Sequence, residues 1–294
     1  LLAAFITFSV ASLKADSNPE IAFAAAACSR ADGLFGRIAL PTCRFLILAA
    51  SGGRFLMAER IVVCTATYNE AENLPMLARA VRATLPHADF LVIDDHSPDG
   101  TGRIADELAQ ADPQIHVIHR TGKLGLGTAI IRAMEFAIEN GYDLIVNMDA
   151  DFSHDPKYLP AMISGGPRCD VMIGSRYVPG GGVENWPWQR QLISNLVNLL
   201  SRVLLRLPAR DNSGGYRCYR VDLLRRINLR DIWSKGYSFQ EEVLYRCVRA
   251  GAKVRETPIV FADRRRGQSK VNVHEAVRSL GLLLLLGLKD LTDG

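Results

Sequence analysis

The chain has 294 residues, 48% apolar and 22% charged, which excludes a disordered polymer and leaves room for one large α/β domain or two small ones. A formal net charge of +4 is too slight to argue for nucleic acid, and no such partner is expected. The six cysteines, at 28, 43, 64, 169, 218 and 247, form no C-x-x-C pair, which argues against a zinc site or a disulfide framework and for a reducing compartment.

Residues 1–56 hold neither a helical nor a strand period for long, whereas Met57 stands directly before AERIVVCTATYNE. The expectation is a natural start at Met57, with 1–56 an unassigned, poorly structured extension and 57–294 the folded domain. RIVVCTA (60–66) is a β-branched strand, and EAENLPMLARAVRATL (70–85) is a helix with Leu74, Leu77, Val81 and Leu85 on one face. DFLVIDD (89–95) is a strand ending in two aspartates, followed by a helix in DGTGRIADELAQ (99–110). QIHVIHR (114–120) is a third strand, GLGTAIIRAMEFAIENG (125–141) a helix closed by Gly141, and YDLIVNMD (142–149) a fourth strand. CDVMIGSRYVPGGG (169–182) reads as a strand entering a glycine-rich loop, and WQRQLISNLVNLLSRVLLRL (188–207) as a long amphipathic helix. DNSGGYRCYRVDLL (211–224) is given no element; SFQEEVLYRCVRAG (238–251) is a helix and AKVRETPIVFA (252–262) a strand, ahead of DRRRGQSK (263–270).

This alternation predicts an α/β fold with a mostly parallel central sheet and helices on both faces. Ligands of such sheets bind beyond the carboxyl ends of the strands, where TATYNE, DDHSPDGTG and DADFSHDP fall. The apolar runs LLAAFITFSVASL and LGLLLLLGL (280–288) are both shorter than the about 20 residues a membrane span needs. The second suits a C-terminal amphipathic helix, buried or resting in a membrane interface.

Asp149 and Asp151, one residue apart after an apolar strand, fit either a polar turn or a site for Mg²⁺ or Mn²⁺, with Ser153 or water as a further oxygen ligand. Asp155 before Pro156 fits a helix N-cap. Asp94 and Asp95 favour contact with a ligand, a nucleobase N–H or a ribose hydroxyl, over a plain turn, whereas Asp99-Gly100 reads as a turn. The glycines of TGKLGLGTA (121–129) open a helix and suit close approach of backbone N–H groups to a ligand. That segment is not a P-loop, and no G-x-G-x-x-G follows the first strand, which disfavours a dinucleotide enzyme.

Taken in order, TATYNEAENL, VIDDHSPDGTG, GLGTA, MDADFSHDP, GSRYVPGG, DNSGGYRCYR, FQEE and RRRGQSK resemble family 2 glycosyltransferases, and more narrowly polyprenol-phosphate (dolichol-phosphate) mannose synthases. The resemblance runs from about Arg60 to Lys270. It implies a GT-A fold, a GDP-mannose donor and a polyprenyl phosphate acceptor. It implies that Thr67, Tyr68 and Glu70 line the nucleotide pocket, that Asp94 or Asp95 contacts guanine or ribose, and that Asp149 and Asp151 hold the metal–diphosphate. It places Arg176 at the reacting phosphates, with Arg264 and Lys270 on a loop that closes over the donor. Arg176, Arg190 and Ser269 are the residues expected at the acceptor phosphate. The chain departs from the pattern at Ala66, where proline is usual, at Ser153, where glutamine is frequent, and at Asn195, where an arginine is frequent in the acceptor helix.

A hydroxyl acceptor needs a general base, whereas a phosphate monoester, with a second pKa of about 6, is already charged at neutral pH. Arg176, Arg190, Arg264, Arg265, Arg266 and Lys270 supply positive charge for the second case. The expected reaction is one in-line displacement with inversion, assisted by the metal. The alternatives are a polyprenyl-phosphate glucosyltransferase using UDP-glucose, and a family 2 enzyme acting on a hydroxyl with Glu241 or Glu242 as base. An apolar acceptor tail requires a membrane surface. The helix at 189–206, with Leu192, Ile193, Leu196, Leu199, Leu200, Val203 and Leu204 among Arg190, Arg202 and Arg206, suits an interfacial or a core-facing helix equally. The expected location is peripheral, at the cytoplasmic face, with a separate membrane subunit left open as a partner.

Overall fold

The computed structural model of the chain describes residues 59–166, 169–234, 236, 238–262 and 281. Met57, the extension 1–56, Arg264, Ser269 and Lys270 of DRRRGQSK, and most of the run at 280–288 lie outside the described residues.

β-branched and apolar runs build the strands in chain order. β1 (Ile61–Thr67) leads through α1 (Leu74–Thr84) to β2 (Asp89–Asp94), then through α2 (Thr101–Ala111) to β3 (Ile115–His119) and through α3 (Leu126–Glu139) to β4 (Leu144–Asn147). A 3₁₀ turn (Pro156–Tyr158) and α4 (Leu159–Ile163) precede β5 (Val171–Ser175). β6 (Gly182–Glu184), α5 (Trp188–Leu204), β7 (Arg217–Arg220), α6 (Val221–Leu224), α7 (Phe239–Arg249), β8 (Val254–Pro258) and β9 (Val260–Ala262) complete the order.

Seven strands form one sheet in the order β3-β2-β1-β4-β7-β5-β8, with β7 antiparallel to both neighbours and every other pairing parallel. This is a GT-A-like sheet. Successive side chains point to opposite faces, and the two cores follow that period. Val62, Cys64, Leu91, Ile93 and Ile145 pack under α3 and α7, while Val63, Phe90, Val92, Leu144 and Val146 pack under α1, α2 and α4. Both faces are covered, which is why the strands read as continuous apolar runs.

Beyond β7 and α6, which arise in the segment given no element, three differences from the expectation bear on the site. The first helix begins at Leu74 rather than 70, because Glu70 O accepts the N–H groups of Asn73 and Leu74 in a preceding turn and Pro75 then opens the helix. The strand at 252–262 is two strands: β8 pairs with β5, and after Ile259 the chain leaves for a separate two-stranded pairing of β9 with β6. The glycines of GLGTA serve packing as well as entry into α3. Gly125 takes φ +100°, and a Cβ on Gly127 would lie 2.7 Å from the Phe239 ring of α7.

Candidate active site

The carboxyl ends of β2, β1 and β4 are neighbours on one rim of the sheet, and the loop that follows each contains a non-glycine residue in the left-handed region. These are Asn69 at φ 63°, His96 at φ 60° and Phe152 at φ 63°. Such residues each cost about 1–3 kcal/mol and persist where their surroundings fix them, commonly at functional sites.

On the first two loops, Thr67 Oγ1 donates to Asp94 Oδ1 at 3.1 Å, and Ser97 donates through Oγ at 2.6 Å and N at 3.1 Å. Asp94 is therefore buried and bonded inside the rim. Asp95 is paired with Arg120 at 2.7 Å; burial pushes its carboxyl up against the pull of that guanidinium. Arg120 also bonds Thr128 Oγ1 at the start of α3, so Asp95 anchors the 121–128 segment. From that segment Lys123 Nζ sits 4.0 Å from the centre of the exposed Tyr68 ring. Glu70 is held by Asn73, and its N–H donates to Thr101 Oγ1 at 2.9 Å. Asp99 accepts from Ala71 N and from Thr101 N and Oγ1; burial would raise its pKa, but these bonds outweigh it and hold the carboxyl low.

The DADFSH turn leaves β4. Asp151 is 6% exposed, and its Oδ1 accepts from Ser153 N at 3.0 Å and Ser153 Oγ at 2.5 Å. Ser153 thus orients Asp151, whatever else its oxygen ligates. Asp149 keeps 34% of its side chain exposed, and its backbone N–H donates to His154 Nδ1 at 3.0 Å. Asp155 caps the 3₁₀ turn by accepting from Lys157 N at 2.9 Å, with Pro156 at its first position, as expected. Among the described residues no group of three His, Cys, Asp or Glu side chains gathers around one point. Two carboxylates and a serine hydroxyl in one turn are an oxygen donor set, which fits Mg²⁺ or Mn²⁺ and does not fit a zinc cage of nitrogen and sulfur ligands.

Because β7 is reversed, its beginning meets the same rim, and the loop 211–216 lies against DADFSH. A Cβ at Gly215 would stand 3.6 Å from His154 Cε1 and 3.9 Å from Asp149 Oδ1. Asn147 Nδ2 fixes this approach by donating to Gly215 O at 2.8 Å. Within the loop, Asp211 forms a bidentate pair with Arg176, Nε to Oδ2 and Nη2 to Oδ1, both at 2.7 Å. Arg176 Nη2 also bonds Ser213 Oγ at 2.9 Å. Burial would raise the Asp211 carboxyl, but Arg176 outweighs it and holds the carboxyl well below the usual range. The Arg176 guanidinium lies 5.3 Å from the Trp186 ring centre, and Arg190 lies 3.9 Å from it. Asp149, Arg176 and Arg190 are thereby gathered on one side of the rim. Thr67, Asp94 and Asp95 sit on its other side.

Asp211, Arg217 and His154 were given no role by the sequence, although each stands inside a quoted motif. Arg217 is fully buried and donates to Gly214 O at 2.8 Å, Gln240 O at 2.6 Å and Asn212 O, which ties the loop to α7. The FQEE carboxylates are both sealed. Glu242 accepts from Trp233 N, Ser234 N and Arg246. Glu241 is 2% exposed, has one oxygen without a hydrogen-bond partner among the described residues, and is pushed up to about 7 by burial. Neither is open to a substrate hydroxyl, which is what a base for hydroxyl transfer would require.

"Glycosyl transferase family 2" matches residues 62–227 of the chain. An undecaprenyl-phosphate mannosyltransferase of Micrococcus luteus is 47% identical over 221 residues, 74% of this chain and 91% of that protein. A polyprenol monophosphomannose synthase of Mycolicibacterium smegmatis is 46% identical over 224 residues, 74% of this chain and 84% of that protein. Among solved structures, glucosyl-3-phosphoglycerate synthase from Mycobacterium tuberculosis, in complex with Mn²⁺, UDP and glucosyl-3-phosphoglycerate, is similar in fold. Its TM-score is 0.56 at 17% identity, covering 78% of this chain and 80% of that one.

Proposed function

The chain belongs to glycosyl transferase family 2 and is a glycosyltransferase, and from that premise we propose that it moves mannose from GDP-mannose to a polyprenyl phosphate, inverting the anomeric carbon. The observation that carries this reading is the pair of relatives at 46–47% identity, both named for joining mannose to a polyprenyl or undecaprenyl phosphate. The geometry supports the chemistry. We assign the nucleoside to the loops that follow β1 and β2, where Thr67, Tyr68, Glu70, Asp94 and Asp95 stand. Asp149 and Asp151 hold Mg²⁺ or Mn²⁺, a choice supported by the Mn²⁺ in the fold neighbour and by the donor set of the turn. The metal, when bound, supplies positive charge to the departing diphosphate. Arg176, fixed by Asp211, and Arg190, stacked on Trp186, are the groups we assign to the acceptor phosphate, with Arg264 and Lys270 adding charge and Ser269 a hydroxyl donor. That phosphate needs orientation and neutralisation rather than a base, in keeping with the sealed Glu241 and Glu242.

The acceptor's tail brings the protein to a membrane surface at the cytoplasmic face. No helix among the described residues is long and apolar enough to cross a membrane. α5 instead presents Trp188, Leu192, Ile193, Leu196, Leu199 and Val203 to solvent, with Arg190 and Arg202 among them, as an interfacial helix does.

The test is to incubate the protein with labelled GDP-mannose, Mg²⁺ and a polyprenyl phosphate, with UDP-glucose and a glycan hydroxyl as parallel substrates. Acid-labile label in the organic phase from GDP-mannose alone is expected, together with its loss in folded Asp151→Ala. Label that comes from UDP-glucose, or goes to the glycan, overturns the assignment; full turnover by Asp151→Ala removes the metal role.

A further inference from the structure

Asp149 leaves β4 with a carboxylate that must stand in one place, and a neighbouring ring governs its backbone. The Asp149 N–H donates to Nδ1 of His154 at 3.0 Å, folding the DADFSH turn back on itself. A ring that accepts at Nδ1 carries its proton on Nε2, so the bond fixes the tautomer as well as the turn. Nδ1 is occupied in this way, which leaves it unable to ligate a metal. The ring itself is buried, stacked on Tyr216 at a centroid distance of 4.9 Å and met edge-on by Phe261 at 5.4 Å. Between Asp149 and His154 the chain passes through the left-handed Phe152, a conformation that relaxes unless both ends of the turn are held.

We propose that His154 is a positioning residue for the metal, setting the Asp149 carboxylate by accepting the Asp149 N–H. This rests on the reading of DADFSH as the metal–diphosphate site. A site with only two protein carboxylates depends on their being placed in advance, and loss of an outer partner in such sites typically costs about 10–100-fold in metal affinity or activity.

Two variants separate the hydrogen bond from the packing. His154→Phe keeps an aromatic ring against Tyr216 and removes the acceptor. His154→Asn places an amide oxygen near the position of Nδ1 and loses the stack. Mn²⁺ binding is read by electron paramagnetic resonance on the full chain, with GDP and, in parallel, UDP present, and thermal unfolding reports the fold. The expected result is Mn²⁺ affinity at least about tenfold weaker in His154→Phe and within about threefold of the parent in His154→Asn. Parent-like affinity in His154→Phe overturns the proposal. So does a tenfold loss in His154→Asn, whether or not His154→Phe folds, because the ring would then act through packing. Parent protein that binds Mn²⁺ with neither nucleotide overturns the functional reading beneath, and the proposal with it.

Discussion

Asp211 gives up all contact with water and takes four N–H donors in exchange, three from Arg176 and one from Gly214. The Arg176 side chain is itself only 8% exposed, so removing its partner strands a charge in a medium that solvates it poorly. Asp211→Ala is expected to cost about 3–5 kcal/mol in urea unfolding, more than a surface aspartate would. Glu241 makes the opposite case. Its carboxyl, facing Arg217, Arg176 and Asp211, is pushed up to about 7 by burial, so the folded chain binds its proton more tightly than the unfolded chain does. Its contribution to stability is fully present below the ordinary glutamate range and is lost as pH rises through about 7. Glu241→Gln should therefore gain in melting temperature relative to the parent as pH rises from about 5 to 8, and a difference that stays flat with pH would refute the assignment. The motifs containing these residues were visible in the sequence, but their roles were not. Asp211 and Arg176 are 35 residues apart, and nothing local to either predicts a buried bidentate pair.

At the level of elements, α5 shows the limit of periodicity. Alternation at helical spacing tells two faces apart without saying which one turns inward. In α5 the polar face is the inner one. Asn198 and Ser201 are buried, and Asn198 Oδ1 accepts from Asn212 N at 2.7 Å and Ser213 N at 3.2 Å. Those bonds, to a segment more than a dozen positions away, decide the orientation and leave Leu192, Leu196 and Leu199 outside. Leu196→Glu combined with Leu199→Glu should abolish sedimentation with anionic polyprenyl-phosphate vesicles. Unfolding free energy should change by no more than about 0.5 kcal/mol per site, as for other surface positions. Retained vesicle binding would remove α5 from the membrane contact. β7 was illegible for a different reason: four residues bounded by arginines, RCYR, offer no apolar run, and only pairing with β4 and β5 makes them a strand.

Across the whole molecule, the first four strands, their parallel pairing and the rim at their carboxyl ends could be read from the sequence, because burial on both faces leaves a strong apolar signal in Ile61–Thr67 and Asp89–Asp94. The D-x-D turn could be placed on that rim for the same reason. What brings Asp211 against Arg176 could not be read: Arg176 leaves the carboxyl end of β5 on the same rim, but its partner arrives there only because β7 runs against the other strands. β1, β2, β4 and β5 contribute the segments that exit them, whereas β7 contributes the segment that enters it. The rim is thus built from separate stretches of polypeptide, of which 211–216 alone is joined to the sheet in the opposite sense. On the proposed reading, a change of length ahead of Asp211 would alter the acceptor side of the rim and leave the β1 and β2 loops as they are.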